Sequence, residues 1–269
     1  MKRLVLGIVA ALLVPCSAMV QAQVLGTVDR IVGSASILAI DGASLAITAG
    51  QSVHVGNTIH TGPASEVHIL TQDGGYLALR PSTHVVLQRY HAQTESTAGM
   101  ELKLLQGALR SITGWVGKLY PSGYKVITPT ATVGIRGTDH EVSVLDQTDG
   151  DDLPGTYNSV LEGATWLRNR EGVILELEAG HNGFVALQEG AAPRLLARRP
   201  AFLLRRLLQL EDRIEERREA MRERIEEFAR EHPERVQMLR ERWEKLSPQQ
   251  KDKARDALRT KVQRRRQAQ

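Results

Sequence analysis

From Val24 to about Leu187 the apolar residues come in short runs, many alternating with polar ones, and glycine turns separate the runs. Alternation sends successive side chains to opposite faces of an extended chain, so each run reads as a strand with one buried face. SASILAI-DG-ASLAIT sets Asp41-Gly42 between two such runs, and EVHILTQ-DGG-YLALR repeats the device at Asp73-Gly74-Gly75. Asp-Gly supplies the positive φ that a tight turn needs, so both stretches are predicted hairpins. VVLQRY, ELKLL, YKVIT, HEVSVL, ATWLRN, VILELE and GFVAL continue the series. No amphipathic helical period interrupts it. The pattern predicts an all-β domain, a compact roll or sandwich of short glycine-punctuated strands.

Part of that pattern occurs twice. Gly33, Gly42 and Gly50 stand 130 residues before Gly163, Gly172 and Gly180, and at the same offset Leu45 meets Leu175, Ile47 meets Leu177 and Val55 meets Val185. GSASILAIDGASLAITAGQSVHV and GATWLRNREGVILELEAGHNGFV therefore read as one hairpin module used twice.

After Pro193 the period changes. Leu203, Leu207, Leu210, Ile214, Met221, Ile225 and Phe228 recur by threes, fours and sevens, which is one apolar stripe on a long helix. Pro233 is expected to break it, and a second helix would carry Val236, Leu239, Trp243 and Leu246. Ser247-Pro248-Gln249-Gln250 reads as a capping box that opens a third helix. The expected organisation is thus a signal peptide over 1–22, an all-β domain over 23–190 and an Arg/Glu-rich α-helical domain of about three helices over 191–269.

Charge agrees with that division. The chain of 269 residues carries +4 overall. Residues 23–190 hold 10 Lys+Arg against 17 Asp+Glu, a net of −7, whereas 191–269 hold 23 against 14, a net of +9. The apolar fraction of 42% suffices for a core, but only 4% is aromatic, so Val, Leu, Ile and Ala must fill it.

At the N-terminus, Lys2 and Arg3 precede an apolar run to Val14 and a small-residue cleavage pattern at Val20-Gln21-Ala22. The run falls short of the roughly 20 residues that cross a bilayer. The expectation is an exported periplasmic protein cleaved after Ala22 and not integral to the membrane. Cys16 is the only cysteine and lies in that leader, with Pro15 where a lipidation signal would place a small residue. The mature chain then has no disulfide and no thiolate chemistry.

The β region resembles the FecR domain, the periplasmic sensor domain of iron-dicitrate-type signalling proteins. The residues that carry the resemblance are Thr128, Pro129, Ala131, Arg136, Gly137 and Thr138, preceded by AGQSVHVGNTIHTGPASEVHILTQDGGYLALRPST. The chain departs from the family in Asn57, where an acidic residue is commoner, and in having a cleavable leader where signalling members place an anti-sigma segment and a membrane helix. The resemblance therefore implies the domain and its compartment, not transmembrane signalling. The segment RERWEKLSPQQKDKARDAL, residues 240–258, is similar to segments of small helical periplasmic proteins, some of them chaperone-like.

TPTATVGIRGTDHEVSV looks like a binding loop, but its apolar parity argues for architecture. Val133 and Ile135 are odd, whereas Val142 and Val144 are even. A straight strand cannot bury both sets, so a bulge or tight bend near Gly137 must absorb one residue. Thr128, Pro129, Gly134, Arg136, Gly137 and Thr138 are accordingly a structural motif. Arg136 has two readings, an anion ligand beside glycine N–H groups or, preferred, a brace for the corner through backbone carbonyls or Asp139. Asp139, His140 and Glu141 split across two faces, which disfavours a metal site. His54, His60 and His68 read as strand histidines, and Asp146, Asp149, Asp151 and Asp152 as a solvated acidic loop without EF-hand spacing.

No Gly-x-Ser-x-Gly, His-Glu-x-x-His or P-loop pattern is present. The expectation is a non-enzyme with no metal and no cofactor that binds a protein or envelope component, in cell-surface signalling or envelope maintenance. The alternative is a chaperone-like or structural role led by the helical domain. Nucleic acid is disfavoured, because the tail arginines alternate with glutamates at helix-pairing distances. Only KVQRRRQ is an unopposed basic block, suited to anionic lipid, lipopolysaccharide or an acidic partner. Leu203, Leu207, Leu210, Ile214 and Trp243 form the candidate partner surface, met either by helices folding back or by self-association as a coiled coil.

Overall fold

Among the described residues, alternation and glycine turns produce fifteen strands, most of them short and joined by local antiparallel connections. In a computed structural model the chain is described over residues 23–92, 98–114 and 123–203, at 117, and at eight positions between 226 and 241. The strands are β1 (Val24–Val32), β2 (Ala35–Leu38), β3 (Ser44–Ala46), β4 (Ser52–His54), β5 (Thr58–Thr61), β6 (Glu66–Thr71), β7 (Tyr76–Leu79) and β8 (His84–His91). They continue with β9 (Gly99–Ile112), β10 (Tyr124–Ile127), β11 (Ala131–Leu145), β12 (Gly155–Asn169), β13 (Ile174–Glu178), β14 (Asn182–Ala186) and β15 (Arg194–Leu196).

All fifteen belong to one sheet ordered β15-β14-β12-β11-β10-β9-β7-β6-β1-β4, with β13 on β12 and a branch β3-β2-β5-β8 joined to β9. The long strand β9 is the hub. Its first half pairs with β8 and, in parallel, with β10; its second half pairs with β7 and β11. One apolar cluster takes residues from both arms, among them Val28, Ile37, Ile59, Val67, Leu87, Leu102, Val126, Val142 and Leu177. A sheet whose two arms share one core is rolled onto a single face. A second cluster of Leu145, Tyr157, Phe184, Phe202 and Leu203 is built where β12 and β14 meet the start of the C-terminal segment.

The two hairpin modules have the same register. Ser36 pairs with Ala46, Ile37 with Leu45 and Leu38 with Ser44, while Trp166 pairs with Glu176, Leu167 with Leu175 and Arg168 with Ile174, each 130 residues later. Their turns also match, Ala39 N–H to Ala43 O against Asn169 N–H to Val173 O. The repeated glycines explain the recurrence, since Gly42 and Gly172 hold φ of 85° and 88°, where a side chain is strained.

The expected helical domain over 191–269 is corrected: among the described residues the molecule is mainly β and no helical C-terminal domain is evident. Residues 194–196 are instead β15, bonded to β14. Residues 201–203 form a helical turn, but Phe202 and Leu203 are spent on the β body, with Phe202 edge-on to Tyr157 at 5.0 Å. The helical positions described between 226 and 241 are all exposed, Pro233 among them, where a break was expected. A domain needs a core of its own, and these Glu- and Gln-rich positions bury nothing. Leu207, Leu210, Ile214, Trp243, the Ser247 cap and the leader over 1–22 lie outside the described residues.

Candidate functional site

Strand β11 holds four of the six residues of the expected structural motif, Gly134, Arg136, Gly137 and Thr138, followed by Asp139, His140 and Glu141. Its first half buries Val133 and Ile135 and its second half His140, Val142 and Val144, so the inward parity changes within one continuous strand. The change occurs at Gly137, whose φ is 61°, and the register against β12 shifts between Arg136 and Asp139 and again at His140. The extra residue is therefore taken up as a bulge inside β11, not as a corner between two strands. Thr113 secures the bulge from β9's end: its Oγ1 accepts from Thr138 N–H at 2.9 Å and donates to Thr138 O at 2.7 Å.

Thr128, Pro129 and Gly134 of the motif contact neighbouring parts of the sheet. Thr128 Oγ1 donates to Ala131 O at 2.9 Å and accepts from Ala131 N–H at 3.0 Å, closing the turn into β11. Pro129 O accepts from Arg170 Nη2 at 2.6 Å. The Trp166 indole lies across Gly134, where a Cβ would stand 1.8 Å from its Cε2. Arg136 pairs with Ala164 through the backbone, and its side chain lies outside the described residues.

Asp139 and Glu141 face one side of the sheet and His140 the other. Asp139 accepts a two-pronged contact from Arg110, Nε to Oδ1 at 2.9 Å and Nη2 to Oδ2 at 2.8 Å. The planar fork of a guanidinium matches a carboxylate in this way. Glu141 Oε2 accepts from Arg80 Nη2 at 3.2 Å, and both side chains are wholly buried. Arg80 Nε and Nη1 and Glu141 Oε1 have no further partner. Arg110, whose alternation on β9 puts it opposite Glu141, also reaches Asp139, while the expected brace from Arg136 falls on a side chain outside the described residues.

His140 is buried at 0% exposure, with Nδ1 3.2 Å from Asn158 Oδ1. Burial lowers its pKa to about 4, against smaller raising effects of Asn158 and Asp139, so the ring is neutral at ordinary pH. Burial likewise raises the phenols of Tyr90 and Tyr124, and pushes Tyr157 up to about 12. Tyr124 shares a hydrogen with Ser111 Oγ at 2.6 Å.

The three histidines of the first strands do not meet. His68 is buried between the Tyr76 hydroxyl and Glu66 Oε2, the latter at 3.1 Å. His60 instead faces His84 across the β5–β8 pair, ring centroids 3.9 Å apart, and burial followed by the charge of His60 lowers the His84 pKa. In the acidic loop, Asp149 and Asp152 are tied to one another by backbone bonds of 3.0 and 3.1 Å. No group of three metal-ligand side chains converges among the described residues.

Sequence reasoning missed Arg80, Arg110 and Trp166. Arg80 and Arg110 had one visible signal, their alternation against buried Leu79 and Leu109. Of the candidate partner surface only Leu203 is described, and it is buried in the second cluster.

Among the described residues the geometry defines a mainly β scaffold in which two buried carboxylates, Asp139 and Glu141, each face a buried arginine. Residues 57–164 match the model of the family described as FecR protein. No curated protein matches the chain. Two crystal structures, at 2.50 and 1.65 Å and each described as a "putative anti-sigma factor" from Parabacteroides distasonis ATCC 8503, are similar to it at 16% identity and a TM-score of 0.39. The match covers 52% of this chain and 58% of theirs, so it spans less than two thirds of those proteins.

Proposed function

We propose that the protein is a non-catalytic binding module of the cell envelope, working in surface signalling through contact of its FecR domain with a protein partner. The observation that carries this reading is the FecR match over 57–164. The interior supports it. Buried Asp139 is neutralised by Arg110 and buried Glu141 faces Arg80, so these groups brace the sheet rather than stand ready for proton transfer. The leader pattern over 1–22 supports a periplasmic location, with Gln23 as the first mature residue.

Fractionation of the native host with N-terminal sequencing tests the location: the mature chain is expected in the periplasmic fraction, and an uncleaved cytosolic chain overturns export. Photo-crosslinking in cells from exposed positions of the β body tests the binding role. A single enriched protein partner is expected; a chain that crosslinks to none overturns it.

A further inference from the structure

Strand β13 is hydrogen-bonded on one side only. It pairs with β12 without a break from Ala164↔Glu178 to Arg168↔Ile174, and among the described residues no strand lies on its other edge. Natural sheets guard such edges with charged side chains, lysine above all, and with proline, bulges or a covering element, so Glu176 and Glu178 turn like-charged strands away while leaving the edge open to a basic one. Ile-Leu-Glu-Leu-Glu has neither lysine nor proline, and Val173 and Ile174 before and at its start are 48% and 56% exposed.

The bond from Asn169 N–H to Val173 O fixes which groups face outward. In an antiparallel pair the inward-bonded positions alternate, so Leu175 and Leu177 bond to β12, while Ile174, Glu176 and Glu178 turn their N–H and C=O groups to the open edge. A groove of about 300 Å³ borders the strand, walled by Leu175, Leu177, Leu195 and His181, with Glu176 and Glu178 at its lip.

An added strand continues the alternation. Residues on its inner face meet Leu175 and Leu177, and those on its outer face lie beside Glu176 and Glu178. Residues 171–190 contain Glu171, Glu176, Glu178 and Glu189 and no lysine or arginine. A second copy pairing edge to edge would oppose glutamate with glutamate, which is destabilising. The equivalent edge of the repeated module, β3, has Ser44, Leu45 and Ala46 and carries no such charge.

We propose that the open edge of β13 is the partner-docking surface, and that it takes an extended protein segment alternating apolar and basic residues as an added strand. The proposal rests on the binding-module reading and specifies its surface. The probe is a fluorescent ten-residue peptide alternating valine and lysine, with a valine–glutamate peptide as control, titrated by anisotropy against the full-length chain. The Val/Lys peptide is expected to bind and the Val/Glu peptide not to. Glu176→Pro removes an edge N–H without touching a β12 bond and abolishes binding. Glu176→Lys/Glu178→Lys weakens the Val/Lys peptide by about tenfold and admits the Val/Glu peptide. Circular dichroism confirms that each variant keeps its β signal. Binding that survives both variants, or no binding of the Val/Lys peptide, overturns the β13 assignment. The crosslinked partner above then still stands or falls on its own.

Discussion

Acid should destabilise this domain in part through one buried imidazole. His140 takes its ordinary value of 6.5 in the unfolded chain but about 4 in the fold, chiefly because burial penalises its charged form. Above about pH 6.5 the ring is neutral in both states and costs nothing. As pH falls below that value the unfolded chain binds the proton first, so stability drops by up to about 1.4 kcal/mol per pH unit. The loss ends near pH 4, where the folded ring also protonates, and totals about 3 kcal/mol. His84 shifts in the same direction and adds to the effect. Urea denaturation followed by tryptophan emission, repeated between about pH 7 and about pH 4.5, gives the slope. His140→Phe keeps an aromatic side chain, removes the titration and eliminates the unpartnered Nε2. The variant's stability should therefore fall less steeply than the wild type's, by up to about 1.4 kcal/mol per unit. Parallel curves for the two proteins would refute the argument, because the carboxylates common to both would then account for all of the acid sensitivity.

Three further outcomes follow from the β11 geometry. Gly137→Val should destabilise by more than about 1 kcal/mol, since φ of 61° strains a branched side chain; an unchanged melting temperature would contradict the bulge. Gly134→Ala should push the Trp166 indole off the strand and lower stability by about 1–3 kcal/mol, with a shift in tryptophan emission; unaltered emission counts against the contact. Asp139→Asn should cost about 3 kcal/mol by removing the carboxylate charge that faces the buried Arg110 guanidinium, and Asp139→Leu/Arg110→Met should recover most of it in chemical denaturation. A double variant as unstable as the single one would mean that the pair stabilises beyond mutual neutralisation.

What could be read from the sequence, and what could not, follows from the range of each constraint. Hairpins at Gly42 and Gly74 are local, fixed by positive φ and by alternation on either side, and they stand where the pattern put them. The odd-to-even change across Gly137 was equally visible, because a parity slip within one strand needs no knowledge of its neighbours. Partners were not visible. Arg80 and Glu141 are 61 residues apart and Arg110 and Asp139 are 29 apart, and they meet only because β7, β9 and β11 lie side by side. Alternation says which face a charge occupies, but strand order decides which opposite charge it finds there. The same gap explains the C-terminal error. An amphipathic stripe predicts a helix and an apolar face, yet does not say whose core that face joins. Phe202 and Leu203 joined the core of β12 and β14, where Tyr157 and Phe184 offered ready-made aromatic walls. Strand order and the destination of an apolar face are both non-local facts, and the β13 edge is a third: its glutamates were plain in the sequence, but only the sheet shows that they border an open row of hydrogen-bonding groups.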